Sequence, residues 1–418
     1  MFALIDCNNF YVSCERVFQP QFDTKPVVVL SNNDGCVISR SNEAKSLQIP
    51  MGAPAFKYRK QFKKNNIKVF SSNYALYGDM SRRVMSILEN HSPNVEVYSI
   101  DEAFLGFTGF ENFNVTKKSY KIKKQIYQWT GIPVSIGLAP TKSLAKIANK
   151  IAKKFNHKTS GVYNLDNQEK ITKALKWTDI GDVWGIGHRY AKLLKSIGVN
   201  NALDFTNLPD QWVKKNMSVL GLRLKKDLSG LPFIKLEEVR SPKKSIATTR
   251  SFESILTSPL DIEERISTFA ISCAEKLRIQ NSSCTSLMVF IRSDPFKKEK
   301  RYNNSCIVHL SNASNSNITL SKQAIYGLRK IFKPGVSYKK AGVLALGLTS
   351  KESHQLNFFE PNIGIHNSLM KVIDRINYKY GSRQIKLANQ DLDRMWKMKQ
   401  KNLSPKFTTV LEDIIKVK

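Results

Sequence analysis

The apolar positions of this chain recur in two rhythms, one of strands and one of helices. "FALID" (2–6) is a short apolar run closed by an acid, the pattern of a buried strand, and "NNFYVSCERVF" reads as a loop followed by a helix. "KPVVVLSNN" is a second strand closed by the turn former "NNDG", and the helix of "SNEAKSLQI" runs until Pro50, Gly52 and Pro54 break it. In "SNYALYGDMSRRVMSILENHS" the residues Leu76, Met80, Val84 and Leu88 fall on one helical stripe. The strands "VEVYSI" and "AFLGFT" come next, with Asp101 and Glu102 between them at a hairpin turn. The basic helix of "KKSYKIKKQIYQWTG" and the strand "PVSIGLA" complete a β-α-β-β-α-β-like sheet with helices on one face.

The following segment, "TKSLAKIANKIAKKF", is amphipathic. Lys142, Lys146, Lys150 and Lys153 share one stripe while Leu144, Ile147, Ile151 and Phe155 occupy another, and a lysine face of this kind is ordinarily solvated. From about 166 to 232 the pattern is helical with short turns, including "VWGIGHRYAKLLKSIGV". Residues 240–350 read as a separate α+β domain with strands "SIATTRSF", "SLMVFIRS", "SCIVHLS" and "GVLALGLT" around helices near 260–279 and 321–332. A polar linker follows and a basic tail runs to Lys418, with no internal repeat.

Composition sharpens this outline. A chain of 418 residues has room for two to four domains. Its net charge of +32 and pI near 9.8 call for a polyanionic partner, nucleic acid before a membrane surface. Residues 1–110 carry only +2 of that charge and the remainder +30. Such a split suits a region of metal-assisted chemistry joined to regions that hold a phosphate backbone. Cys7, Cys14, Cys36, Cys273, Cys284 and Cys306 are scattered, without the spacing of a zinc site or a disulfide framework. The start "MFALIDCNNF" has no charged leader region, and no apolar run reaches the ~18 residues of a membrane span, so a reducing cytoplasmic setting is expected.

The run "VYSIDEAFLGF" (97–107) then raises a question of charge. It holds two acids in apolar surroundings, yet no Lys or Arg occurs between Arg83 and Lys117. Carboxylates withdrawn from water need a cation or strong donors, so the positive charge must come from elsewhere. If the strand ending in Asp6 neighbours this hairpin, three carboxylates meet at one sheet edge. Hard oxygen ligands of this kind select Mg²⁺ or Mn²⁺. Two such ions about 4 Å apart would form the clamp used for in-line displacement at phosphorus. Taken alone, an Asp-Glu pair at a hairpin is more often an ordinary turn. Three acids among apolar strands in so basic a chain reverse that preference.

"DCNNFYVSCE", "SIDEAF", "GLAPTKSLAKIANKIAKK" and "VWGIGHRYAKLL" together resemble the Y-family translesion DNA polymerases. "VVLSNNDGCVISRSNEAK", "FSSNYALYGDMS" and "SPKFTT" resemble its UmuC branch in particular. The resemblance covers essentially the whole chain with its motifs in family order. It implies an α+β multidomain, right-hand polymerase: a ferredoxin-like palm (1–17 and 74–165), small fingers (18–73), a helical helix-hairpin-helix thumb (166–235), an α+β little finger (240–350), and a clamp-binding linker with a basic tail (351–418). It further implies that Asp6 and Asp101 bridge two Mg²⁺ ions, with Mn²⁺ as a substitute, that Glu102 helps hold one of them, and that Cys7 offers its backbone carbonyl. Tyr11 matches the steric gate that rejects a ribose 2′-hydroxyl. Phe10 is expected beside it, with a core position as the alternative. Lys45 and Lys153 match positions that hold the incoming triphosphate. Many relatives carry tyrosine and arginine where this chain has Asn42 and Lys45, and a lysine offers a point charge rather than a fork.

In "WGIGHRY", Gly185 and Gly187 let backbone N–H groups approach a phosphate at a helix start, with a plain tight turn as the alternative. Arg250 of the basic 240–350 domain is expected on the template-primer backbone. "QLNFF" places Leu356, Phe358 and Phe359 after Gln355 in a polar linker, like a bacterial sliding-clamp-binding peptide; folding back on the little finger is the alternative. The resemblance implies primer-template DNA, deoxynucleoside triphosphates, a sliding clamp, a cleaved UmuD-type dimer and RecA as partners in the SOS response, and no membrane. The expected setting is the bacterial cytoplasm, at the nucleoid. Two other classes stay open, another two-metal enzyme on a similar palm and a catalytically silent DNA-binding subunit.

Overall fold

The opening apolar run becomes β1 (Phe2–Cys7), which turns at Asn9 into α1 (Phe10–Phe18). Asn9 takes the left-handed region (φ 49°), which asparagine tolerates better than most residues. The structure, a computed structural model, describes residues 1–110, 112–237, 241–294, 301–350, 364–381, 384–390 and 398–415. They fall into two units, Met1–Arg240 with Gln400–Lys418, and Ser241–Lys399.

In the first unit β2 (Val27–Leu30), β3 (Val37–Arg40), α2 (Asn42–Ser46), α3 (Ala55–Lys64) and β4 (Lys68–Ser71) build a small sheet of order β3-β2-β4. Its own core includes Val28, Leu30, Val37, Ile49 and Phe62. The helix α4 (Tyr74–Glu89) starts where the Asn73 side chain accepts the Leu76 N–H, and it buries the expected stripe of Leu76, Met80, Val84 and Leu88. Then follow β5 (Asn94–Val97), β6 (Glu102–Gly106), α5 (Val115–Thr130), β7 (Val134–Ala139), α6 (Lys142–Lys154), the short α7 (Asn156–Thr159) and β8 (Val162–Asn164). The main sheet has the order β5-β6-β1-β7-β8.

Successive side chains of a strand point to opposite faces. Ala3, Ile5 and Cys7 of β1 therefore enter a core shared with Val84, Leu88, Ile122 and Ile126 of α4 and α5. Leu4 enters a second core with Leu144, Ala148 and Ile151 of α6. Helices cover both faces, where the sequence pattern led us to expect them on one. Every residue of β7 is buried, so that strand has no wet face to leave open. The approach of α6 is close at Gly137, where a Cβ would stand 2.1 Å from the Asn149 backbone nitrogen. The Asn149 amide donates to the carbonyl oxygens of Leu4 (3.3 Å) and Ser135 (2.7 Å), fixing the helix to the sheet.

On the α6 side pack α8 (Gln168–Trp177), α9 (His188–Ser196), α10 (Ala202–Thr206) and α11 (Asp210–Leu228), which add Ile171, Leu194, Phe205 and Leu224 to the second core. The lysine face of α6 is not simply solvated. Lys142 is 2 % exposed, and its Nζ holds both oxygens of Glu96 at 2.8 and 2.6 Å.

The second unit holds β9 (Ile246–Leu256), α12 (Pro259–Ile279), β10 (Ser282–Ser293), β11 (Asn303–Ser314), α13 (Asn317–Ile331) and β12 (Tyr338–Ser350). Its sheet is antiparallel throughout, in the order β11-β10-β12-β9, and α12 and α13 share its core. These are the four strands and two helices that the pattern predicts. A further helix, α14 (Gly364–Tyr380), stands where the sequence reads only as linker and tail. It is held by Arg278, whose guanidinium meets the Asp374 carboxylate at 2.6 and 2.7 Å. No helix of the described residues is long and apolar enough to cross a membrane.

Two buried carboxylates make the packing testable. Removing the cation in Lys142→Met leaves Glu96 buried and unpaired, and chemical denaturation should show a loss of about 3 to 5 kcal/mol, much of it recovered by adding Glu96→Leu. Glu15 of α1 is fully buried, and burial pushes its carboxyl from 4.5 up to about 6 against the Tyr77 and Ser404 hydroxyls, which donate to it. The folded chain thus binds this proton more tightly than the unfolded one, and ionising Glu15 costs stability as pH rises through that window. Glu15→Gln lacks this term. Its stability relative to wild type should improve by about 2 kcal/mol between pH 4.5 and 7 in urea titrations.

Candidate active site

The antiparallel pairing of β1 with β6 sets Asp6 opposite Glu102, and the Cys7 N–H donates to the Asp101 carbonyl at 2.8 Å. Strand alternation points Asp6 and Glu102 to the same face as Leu4 and Phe104, the face covered by α6. There the lysine stripe supplies the cations that the sequence around the hairpin lacks. Lys153 Nζ lies 2.5 Å from Asp6, Lys146 Nζ lies 2.7 Å from Glu102, and Lys150 reaches Asp182 at 2.6 Å. The positive charge expected from elsewhere in the chain thus includes a turn-by-turn row of lysines that meets these carboxylates. The Asp101 carboxylate accepts from the Ser99 hydroxyl at 2.5 Å.

Burial drives the Asp6 carboxyl from 3.8 up to about 7, with the Glu102 charge adding to the rise and Lys153 opposing it. The Cys7 thiol is buried and pushed up, so the residue has only its backbone carbonyl to offer a hard cation. The donor set of Asp6, Asp101, Glu102 and that carbonyl is all oxygen, which suits Mg²⁺ or Mn²⁺. The three carboxylates do not stand as a ready-made cage: among the described residues no cluster of three or more acid, thiol or imidazole groups has metal-holding geometry.

Next to the acids lies a second set of charges. Lys45 donates to Asn9 at 2.6 Å and to Asn42 at 3.4 Å, and Asn9 donates to Asn42 at 3.1 Å. Burial and the neighbouring Arg40 and Lys153 charges hold the Lys45 ammonium below its ordinary value. Arg40 of β3 and Lys153 of α6 thus stand near enough to Lys45 of α2 for their charges to act on it, as Asp6 does with the opposite sign, while Arg40 itself donates to the Ile49 carbonyl and Lys153 pairs with Asp6. Tyr11 of α1 stacks on Tyr77 with ring centroids 4.4 Å apart at 14° and meets Tyr74 edge-on at 6.2 Å. Burial first, and then the neighbouring Tyr74 and Asp101, raise the Tyr11 hydroxyl. Phe10, expected in the nucleotide-binding set beside Tyr11, is 3 % exposed and belongs to the sheet core, the alternative weighed for it.

Residues 5–150 match the impB/mucB/samB family, residues 243–358 match the C-terminal domain of that family, and residues 367–417 match a domain of unknown function. Among curated proteins, Protein UmuC of Salmonella typhimurium is 40% identical over 100% of both chains. Protein MucB of Escherichia coli is 35% identical over 98% of this chain and 97% of its own. The chain belongs to the impB/mucB/samB family. DNA polymerase IV of Dehalococcoides mccartyi is a more distant relative, 29% identical over 70% of this chain and 74% of its own. The fold is that of Y-family polymerases: a Y-family DNA polymerase chimera of Dbh and Dpo4 superposes with a TM-score of 0.66 at 21% identity, covering 84% of this chain and all of that one.

Within this impB/mucB/samB chain the remaining expected residues separate. Gly187 caps α9 without a side-chain partner, and Gly185 before it has φ 90°, a glycine conformation, so the first N–H groups of α9 are left open. Arg250 is exposed on β9, an edge strand of the second unit. Gln355, Leu356, Phe358 and Phe359 lie outside the described residues. Sequence reasoning missed Arg40, Asn9, Tyr77 and the pairing role of Lys146. A basic residue ending a strand is a weak signal, and nothing in spacing alone sets Tyr77 behind Tyr11.

The cation cluster should bind a polyphosphate by charge. In calorimetry with inorganic tripolyphosphate, Lys45→Ala and Lys153→Ala should each weaken binding about 10-fold or more, as loss of a charge-assisted bond implies. Lys150→Ala, whose lysine faces Asp182, should leave it unchanged.

Proposed function

We propose that this chain is an error-prone, template-directed DNA polymerase that adds deoxynucleotides to a primer across damaged template, in SOS mutagenesis and DNA repair. The observation that carries this reading is the meeting of the Asp6–Glu102 acids with the Arg40–Lys45–Lys153 cations beside the Tyr11 ring. Asp6, Asp101, Glu102 and the Cys7 carbonyl would hold two Mg²⁺ ions, whose charge makes the primer 3′-hydroxyl acidic and offsets the negative charge that builds at phosphorus. Lys45 and Lys153 bind the triphosphate and orient it for in-line attack, so that pyrophosphate departs from the cationic side. Asn9 and Asn42 hold the Lys45 ammonium in place. The face of Tyr11 excludes a 2′-hydroxyl at the sugar.

In this reading residues 1–17 with 74–165 are the palm and 18–73 the fingers. Residues 166–235 are the thumb, whose Gly185 and Gly187 turn receives a DNA phosphate. Residues 240–350 are the little finger, with Arg250 on the backbone. The small core of the fingers leaves little bulk against the nascent base pair, which suits a damaged template base. Gln355, Leu356, Phe358 and Phe359 dock in a sliding clamp, and a cleaved UmuD-type dimer and RecA are the further partners. The protein works at the nucleoid in the cytoplasm.

Primer extension opposite an abasic template, with Mg²⁺ and deoxynucleotides, tests the reading. Asp101→Ala should lower extension by about 10³-fold, equivalent to several kcal/mol of barrier, while DNA binding in a gel shift is retained. Cleavage of the primer would point instead to a nuclease, and DNA binding with no extension by wild type to a silent subunit.

A further inference from the structure

After the second unit the chain returns to the first, and Gln400–Lys418 belongs to the same unit as the acids. The return is closely bonded. The Ser71 N–H donates to the Asn402 carbonyl at 2.9 Å and the Asn402 N–H to the Ser71 hydroxyl at 3.0 Å, so the segment extends the end of β4. The Gln400 amide donates to the Ser72 carbonyl at 2.8 Å. Two residues on, the Asn73 amide donates to the Ser404 carbonyl (3.1 Å), the Ser404 hydroxyl (2.9 Å) and the Pro405 carbonyl (3.0 Å). Phe407 stacks on Phe18 of α1, centroids 5.0 Å apart at 10°. Residues 71–73 are the joint between the small sheet and α4, so this strap spans the joint and ends on α1.

Beneath the strap runs a chain of contacts toward the site. The Ser404 hydroxyl donates to Glu15 Oε1 at 3.0 Å, and the Tyr77 hydroxyl donates to the same oxygen at 2.6 Å. Tyr77 is the ring stacked under Tyr11. Glu15, Tyr77, Asn73 and Ser404 are each 6 % exposed or less, so no water stands ready to replace a lost partner.

We infer that the segment from Gln400 to Phe407 is a positioning element for sugar selection: through Ser404, Glu15 and Tyr77 it fixes the Tyr11 ring. This rests on the reading of Tyr11 as the residue that excludes the 2′-hydroxyl. Among the described residues the Tyr11 hydroxyl has no hydrogen-bond partner to hold the ring's angle. Its orientation is set by Tyr77, whose hydroxyl donates to a carboxylate that also accepts a hydrogen bond from the strap. Tyr11 itself is the group that meets the sugar; Ser404 acts only through its neighbours.

The test uses the full chain. Ser404→Ala should lower the preference for deoxy- over ribonucleotides, measured as a ratio of kcat/KM, by about 5-fold, the scale of one hydrogen bond. Extension with deoxynucleotides stays close to wild type, and Ser404→Thr restores the preference. Fluorotyrosine placed at position 11 reads the ring without turnover, and its ¹⁹F resonance should shift and broaden in Ser404→Ala. Phe407→Ala, which frees the far end of the strap without touching Glu15, should act in the same direction if Ser404→Ala proves unstable. In a Tyr11→Ala background the Ser404 effect should vanish. An unchanged fluorine signal in folded variants overturns the proposal, as does an equal loss of preference in the Tyr11→Ala background. Should Tyr11→Ala itself leave the preference unaltered, the assignment of Tyr11 falls; a Tyr11 effect without a Ser404 effect sinks the strap alone.

Discussion

The contact on which the rest depends is the row of lysines on α6 against the acids of the sheet edge. Lys142 meets Glu96, Lys146 meets Glu102 and Lys153 meets Asp6, each between 2.5 and 2.7 Å, and Lys150 reaches Asp182 of the turn before α9 at 2.6 Å. A buried carboxylate without a partner would be forced to take a proton or to unfold its surroundings. Here one amphipathic helix lays its apolar stripe on Leu4 and Phe104 while its lysine stripe crosses the ends of β5, β6 and β1. Packing and charge compensation are therefore a single event. The same event brings Lys153 to within a hydrogen bond of Asp6.

That arrangement keeps the site poised rather than closed. Asp6, pressed by burial and by Glu102, is held by Lys153, which remains partly exposed. An ion pair of this kind exchanges partners easily when a stronger cation and a triphosphate compete for its two ends. Arg40 and Lys45 already stand nearby, and their mutual repulsion favours an anion between them. Charge segregation along the chain acquires a local meaning here. The nearly neutral first quarter contains the acids, and the basic remainder reaches over to neutralise them.

The Tyr11 ring is held from behind by a relay rather than by direct bonds. Tyr77 and Glu15 are 62 residues apart, and the returning tail comes from far beyond both, Ser404 and Glu15 being separated by 389. A ring stacked on a buried, hydrogen-bonded ring loses little freedom on meeting a ligand, which is how a flat surface becomes a selective one.

Much of this was legible beforehand because periodicity is local. The stripe of Leu76, Met80, Val84 and Leu88, the strand that ends at Asp6, the hairpin of Asp101 and Glu102, and the four strands of the second unit follow from spacing within ten or twenty residues. The motifs also sufficed to assign the family, because each pairs a residue type with a turn or strand end that its chemistry requires. What the chain order could not supply was distance across the fold. Whether the α6 lysines face water or acids turns on which side of β1 the helix packs, and the full burial of β7 decides that. Phe10 and Tyr11 are neighbours in sequence, yet α1 buries one in the core and leaves the other half-buried against Tyr74 and Tyr77. The strap reads as an ordinary polar tail until β4 offers it an edge and Glu15 a buried acceptor. By itself the sequence determined which segments form and what chemistry they carry. Only the tertiary structure decided which charges meet, because burial and partner distance, not residue type, set what a charge costs and what it holds.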